Sequence, residues 1–124
     1  MQHRKIQVLG NFIDGEFHIP SPADEILTSL NPANTKDVIG NFPVSCGDID
    51  KGVSAARSAK EKWANLSLEE RIAPLRSYQH ILRSRISDLA ELIAREVGKP
   101  LWEAEGEVKA MISKIDITIE ESLP

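Results

Sequence analysis

From residue 48 onward, apolar side chains recur every three or four positions, whereas before Gly47 they come in short runs broken by Gly, Pro, Asn and Asp. The first pattern marks amphipathic helices and the second marks short strands joined by turns. The chain therefore divides into a β-hairpin region, residues 1–47, and a helical region, residues 48–124. Phe12-Ile13-Asp14-Gly15-Glu16-Phe17 sets Asp-Gly between aromatic and β-branched flanks, the combination that favours a type I′ turn and two short strands. Ile26 to Leu30 and Val38 to Phe42 predict a second pair of strands, joined through the turn formers Asn31-Pro32-Ala33-Asn34-Thr35-Lys36.

Asp48 follows Gly47 and predicts the cap of a helix in which Ile49, Val53, Ala56, Ala59 and Trp63 share a face. Ser67-Leu68-Glu69-Glu70 has the form of a capping box and opens a second helix. Pro74 lacks an amide proton and crowds the preceding turn, which predicts a kink or a short first segment. Ser87 is placed to cap a further segment carrying Leu89, Leu92 and Ile93, which Gly98 closes by taking a left-handed conformation. Pro100 then opens a last helix, with Leu101, Ala104, Val108, Met111, Ile115 and Ile119 on its apolar stripe and Glu103 and Glu105 near its positive end. The fold class expected is α+β, two hairpins followed by three or four helices.

At 124 residues the chain fits a single domain, and 41% hydrophobic with 27% charged residues is the balance of a folding, globular sequence. A net charge of −4 gives no long-range attraction to nucleic acid or anionic lipid, so neither is an expected partner. No run approaches the ~18 apolar residues of a membrane span, and the charged start Met1 to Lys5 is not followed by a signal-peptide core. One cysteine forms no internal disulfide, which points to a reducing compartment and, by default, the cytoplasm.

Composition and spacing alone reveal no active site. Gly10 and Gly15 match the outer glycines of a phosphate loop, but Glu16 stands where lysine is needed, and the segment reads as a hairpin. Cys46 precedes a helix whose positive end lowers thiol pKa values, yet no base accompanies it in sequence, and it reads as an ordinary loop cysteine. His3, His18 and His80 are too scattered to share a metal. Glu103 and Glu107 stand four apart, as an acid and base pair can, but an acidic face near a helix start is the simpler account, with Glu105 and Lys109 as an ion pair. Trp63 and Trp102 read as packing residues.

Arg95-Glu96-Val97-Gly98-Lys99-Pro100 resembles the Glu-x-Gly-Lys-Pro segment of the aldehyde dehydrogenase superfamily. Asn11 to Phe17 resembles that family's opening hairpin, and Asn31-Pro32 with Val38-Ile39 its Asn-Pro turn and following strand. Trp63-Ala64-Asn65-Leu66-Ser67 with Glu70-Arg71 resembles the junction before its second helix. Thr35-Lys36-Asp37 departs from the family's commoner Thr-Gly-Glu. The stretch from Pro100 through Trp102-Glu103-Ala104, Glu107-Val108, Ala110-Met111-Ile112 and Lys114-Ile115 is most similar to the branch that oxidises N-succinylglutamate semialdehyde in arginine catabolism.

The resemblance implies an incomplete, N-terminal part of a Rossmann-like α/β fold, about a quarter of a family member. It also implies the family's reaction, hydride transfer to NAD or NADP from a thiohemiacetal on a cysteine, then hydrolysis of the thioester assisted by a glutamate. Neither catalytic residue has a counterpart here, and Cys46 does not match the nucleophile's motif. The cofactor is expected in the intact enzyme and not on the isolated chain, which is expected to be inert. Ser29 and Glu96 look similar to positions that bind a structural monovalent cation in some relatives. Glu107 and Met111, on the helix that borders the family's substrate tunnel, are the candidates for lining it, with ordinary core the competing reading for Met111. The expected partners are the missing C-terminal remainder or a full-length homologue. The alternative is a non-catalytic module that docks on such a dehydrogenase, or on another partner, through exposed apolar faces.

Overall fold

The computed structural model describes residues 6–122; the charged start Met1 to Lys5, with His3, and the last two residues lie outside them. Two compact units follow one another, the first ending at Asn65 and the second beginning at Leu66. The first holds strands β1 (Asn11–Ile13), β2 (Glu16–His18), β3 (Glu25–Asn31) and β4 (Asn34–Val44) and helix α1 (Gly47–Ala64). The second holds helices α2 (Leu68–Ser84), α3 (Ile86–Val97) and α4 (Leu101–Asp116), with a π-helical turn at Ile117–Glu121. This is the expected order of two hairpins and four helices, and no described helix is long and apolar enough to cross a membrane.

In the first unit, Asp14 and Gly15 take φ of 53° and 86°, the pair of left-handed residues that a type I′ turn requires. Phe12 and Phe17 stand directly opposite each other, their ring centroids 4.9 Å apart and tilted by 56°, a cross-strand aromatic pair that fixes register. Gly10 is constrained more tightly than Gly15. Its φ is +82°, and a Cβ there would lie 2.1 Å from the His18 carbonyl oxygen, whereas nothing lies within 4 Å of one at Gly15.

The second hairpin is longer than its apolar runs predict, because its turn shrinks to Pro32-Ala33. Asn31 Oδ1 accepts from the Ala33 amide at 2.9 Å, and its Nδ2 donates to Asp37 at 3.2 Å, so pairing continues to Asn31 opposite Asn34. The register shift between Ser29 and Leu30 leaves Ile39 of β4 without a partner, and it is buried.

Helix α1 begins at Gly47, so Asp48 lies inside the first turn and is not the cap that its position suggests. Its carboxylate accepts instead from Asn11 Nδ2 and from Lys51 Nζ, each at 2.8 Å, which ties β1 to α1. The predicted apolar face of α1 is not a core face, since Ile49, Val53 and Trp63 are all exposed.

The second unit begins with the complete capping box. The Ser67 hydroxyl accepts from the Glu70 amide at 3.2 Å, and Glu70 accepts from the Ser67 amide at 2.7 Å. Pro74 does not split the helix: α2 is continuous over 17 residues. The bond that Pro74 cannot donate and the crowding by its ring cost about 3 kcal/mol, and the helix, capped at its start and anchored at its buried residues Gln79 and Leu82, continues through it. The break comes at Arg85, with φ −118° and ψ 18°, one residue before α3, so Ser87 sits in the first turn of α3 without capping it.

Gly98 closes α3 in the left-handed conformation, φ 74° and ψ 24°, its amide donating to Ala94 O at 2.9 Å. Pro100 precedes α4 as expected, and its carbonyl accepts from the Glu103 and Ala104 amides. The core gathers Leu82, Ala90, Ala104, Val108 and Ile112, with Ile86, Leu89, Ile93, Ala94 and Ile115 packed around them. Fully buried Ala90 and Ala104 let α3 and α4 approach closely. On α4 the buried stripe is Ala104, Val108 and Ile112; Leu101 and Met111, expected on it, are exposed. Trp63 and Trp102 are likewise not packed: Trp102 is 74% exposed.

Gly10→Ala is expected to destabilise the first unit by more than Gly15→Ala. The second carries only left-handed strain, about 1–2 kcal/mol, while the first adds a backbone clash. Urea midpoints followed by circular dichroism measure this, and equal shifts would contradict it.

Candidate functional site

The strongest concentration of charged geometry on a sequence-predicted position is at the start of α4. Gly98 turns the chain, Lys99 follows it, and Pro100 fixes the entry to the helix. Glu103 and Glu107 stand one turn apart, so both carboxylates project along the same side of α4. Lys99 Nζ lies 3.1 Å from Glu103 Oε1 and also bonds Glu107 Oε1. The lysine side chain is only 16% exposed, while both glutamates remain open to solvent. Contact with Glu107 first, and Glu103 second, holds the Lys99 ammonium above the ordinary lysine range.

Glu103 and Glu107 are therefore two arms of one clamp on a lysine. The signal that could have found it is the spacing of four and eight from Lys99. Met111, one turn beyond Glu107, is 41% exposed and is not part of the second unit's buried core. The expected Glu105 and Lys109 pair is present at 3.9 Å.

Ser29 and Glu96 fall in different units. Ser29 is half-buried in β3 opposite Gly40, and Glu96 is exposed in the last turn of α3. Among the described residues no group of three or more His, Cys, Asp and Glu is placed to hold a metal ion.

The first unit carries a groove of about 490 Å³ lined by Asn11, Ile13, Val44, Cys46, Asp48 and Ile49, among others. Cys46 is exposed, and its amide donates to Asp24 Oδ2 at 2.7 Å. Among the described residues no histidine or other base is bonded to its thiol. Asp48 is the buried group there, and the hydrogen bonds from Lys51 and then Asn11 hold its carboxyl below the usual aspartate range. His18 and His80 are exposed.

A polar network in the second unit escaped the sequence. Gln79 is buried and donates to the Ile112 carbonyl at 3.0 Å. Arg76 bonds Gln79 Oε1, Asp116 and Glu120, the last across 2.7 Å, and so ties α2 to the end of α4 and its π-helical turn. Hydrogen bonds from Gln79 and then Arg76 hold the Asp116 carboxyl below its ordinary range. Spacing within one helix cannot reveal pairs 37 to 40 residues apart such as Asn11 with Asp48 and Arg76 with Asp116.

An aspartate that ionises more easily in the folded chain stabilises it above the ordinary aspartate range, and that contribution is lost as pH falls through the lowered value. Stability is thus expected to drop on acidification below about pH 4. Asp48→Asn and Asp116→Asn should each flatten that acid limb, read as urea midpoints across pH; an unchanged limb in both would contradict the assignment.

The family model described as the aldehyde dehydrogenase family matches residues 18–123. Among curated proteins, the N-succinylglutamate 5-semialdehyde dehydrogenase 2 of Caulobacter vibrioides is 41% identical over 110 residues, 89% of this chain and 22% of that protein. The N-succinylglutamate 5-semialdehyde dehydrogenase of Chromobacterium violaceum is 40% identical over 108 residues, 87% of this chain and 22% of that protein. Among solved structures, an NAD-dependent aldehyde dehydrogenase from Sinorhizobium meliloti superposes with a TM-score of 0.84 at 25% identity, over 93% of this chain and 24% of its own. Lactaldehyde dehydrogenase from Escherichia coli gives a TM-score of 0.82 at 33% identity, over 88% of this chain and 23% of its own. The chain thus spans less than a quarter of the length of these relatives and matches the N-terminal part of the solved structures.

Proposed function

The chain belongs to the aldehyde dehydrogenase family, and from that premise we propose that it serves as the N-terminal part of an NAD(P)-dependent enzyme that oxidises N-succinylglutamate 5-semialdehyde to its acid in the cytoplasm. The observation that carries the substrate is the identity of about 40% to two dehydrogenases named for that aldehyde. Alone, the chain is inert, because the reaction needs a nucleophile with a base and a cradle for the dinucleotide.

The described residues do not fit the cofactor. Both ribbons are antiparallel hairpins, with no parallel βαβ unit. The passage from β4 into α1 carries one glycine, Gly47, and sets Asp48 and Asp50 in the first turn, where their charge opposes a phosphate. No step of the reaction is therefore assigned to these residues.

What the chain contributes is α4. Glu107 and Met111 line the substrate tunnel of the assembled enzyme, and Lys99 holds the Glu107 carboxylate in place against Glu103.

Purified chain mixed with the semialdehyde and NAD or NADP is expected to form no reduced nicotinamide above a blank. A chimera carrying this chain in place of the 110 aligned residues of the Caulobacter enzyme is expected to turn the semialdehyde over. Glu107→Gln and Met111→Ala in that chimera should change KM for the semialdehyde several-fold with little change in kcat. Turnover by the chain alone overturns its inertness, and an unmoved KM in both variants removes the tunnel assignment.

A further inference from the structure

The Lys99 clamp is uneven in charge. One ammonium meets two carboxylates, Glu103 and Glu107, so this side of α4 keeps one negative charge with the lysine in place and two without it. The lysine side chain is 16% exposed and each glutamate side chain 48%, so the positive charge is covered while the negative ones face outward. A pair that serves only its helix needs one partner for one charge. Glu105 and Lys109, 3.9 Å apart, are such a pair, and each stands two residues from Glu107, on another side of α4.

Beyond the clamp the stripe continues through Met111, one turn after Glu107 and 41% exposed. Side chains on a helix lean toward its N-terminus, and the bonds to Lys99 hold both glutamates in that direction, away from Met111. The lysine thus draws two carboxylates back from the surface beside Met111 and cancels half of their charge.

The aldehyde for which the two relatives are named carries carboxylates of its own, one on the succinyl arm and one on the glutamate carbon. A carboxylate on the wall of its path repels it, and away from bulk water that repulsion strengthens. An uncharged aldehyde feels none of it. We propose that Lys99 is a positioning residue that sets specificity: by pinning and part-neutralising Glu103 and Glu107 it admits a dianionic aldehyde to the path along α4. The proposal rests on the functional reading above, in which Glu107 and Met111 line the substrate tunnel, and adds to it the charge that the tunnel accepts.

The test uses the chimera described above, with steady-state kinetics on N-succinylglutamate 5-semialdehyde and on pentanal, which keeps the aldehyde chain and lacks both carboxylates. Lys99→Met preserves the stem of the side chain and removes its charge. It is expected to raise the ratio of the semialdehyde KM to the pentanal KM about tenfold, with kcat for the semialdehyde little changed, and added salt should shrink that rise. Lys99→Arg, which keeps the charge, should hold the ratio near the parent value. Lys99→Met combined with Glu107→Gln returns this side of α4 to one negative charge and should bring the ratio back toward the parent. Lys109→Met removes the same charge from another side of the helix and should leave the ratio unmoved.

A ratio that Lys99→Met does not move overturns the proposal. So does a rise that Lys99→Arg shares, or that high salt leaves intact, since charge is then not its cause. Equal loss with both aldehydes overturns it too and confines Lys99 to the fold. If Glu107→Gln alone moves KM for the semialdehyde while Lys99→Met does not, the tunnel reading stands without this one. A parent chimera that oxidises pentanal but not the semialdehyde overturns the substrate reading and the proposal together.

Discussion

The reversal at Gly98-Lys99-Pro100 is the constraint from which the second unit is built. A left-handed residue ends α3, and a proline with extended ψ starts α4 two residues later, so the two helices must fold back on each other. Once they do, the fully buried alanines at 90 and 104 join Val108, Ile112 and Leu82 in one core. The same three residues place Lys99 where its stem runs along the first turns of α4. The Glu103 and Glu107 clamp is thus a by-product of the backbone turn that makes the core.

The first unit obeys a different constraint. Its local structure is well specified: a type I′ turn, an aromatic pair, an Asn-driven tight turn and a carboxylate linking strand to helix. Its hydrophobic surface is not resolved by that structure. The apolar stripe of α1 and the apolar residues Ile26, Leu27, Leu30 and Val38 of the second ribbon are left exposed among the described residues. A sequence that is locally consistent yet globally uncovered is what a segment of a larger fold looks like.

Helical periodicity found every helix but misjudged which faces would be buried, and the reason is the same at each site. Ile49, Val53, Trp63, Leu101 and Met111 are apolar and correctly spaced, yet all are exposed here. Periodicity reports that a face is destined for burial and says nothing of which body supplies the cover. The capping residues show a related limit. Ser67 caps as its box predicts, because both partners lie within four residues, whereas Asp48 gave up its cap role to Asn11, 37 residues away.

By itself the sequence determined what depends on neighbours along the chain: the Asp-Gly turn, the capping box, the left-handed Gly98, the order of hairpins and helices, and the motif run that signals the family. Tertiary structure alone decided the rest. It chose Ala104, Val108 and Ile112 over Leu101 and Met111 as the buried stripe, because that is the face of α4 that packs with Leu82 and Ala90 in the core. It joined Asn11 to Asp48 and Arg76 to Asp116 and Glu120, pairs for which no local spacing exists. Turns and caps are short-range energies that one segment can satisfy alone, while burial and buried polar pairing are settled only when distant segments compete for the same space.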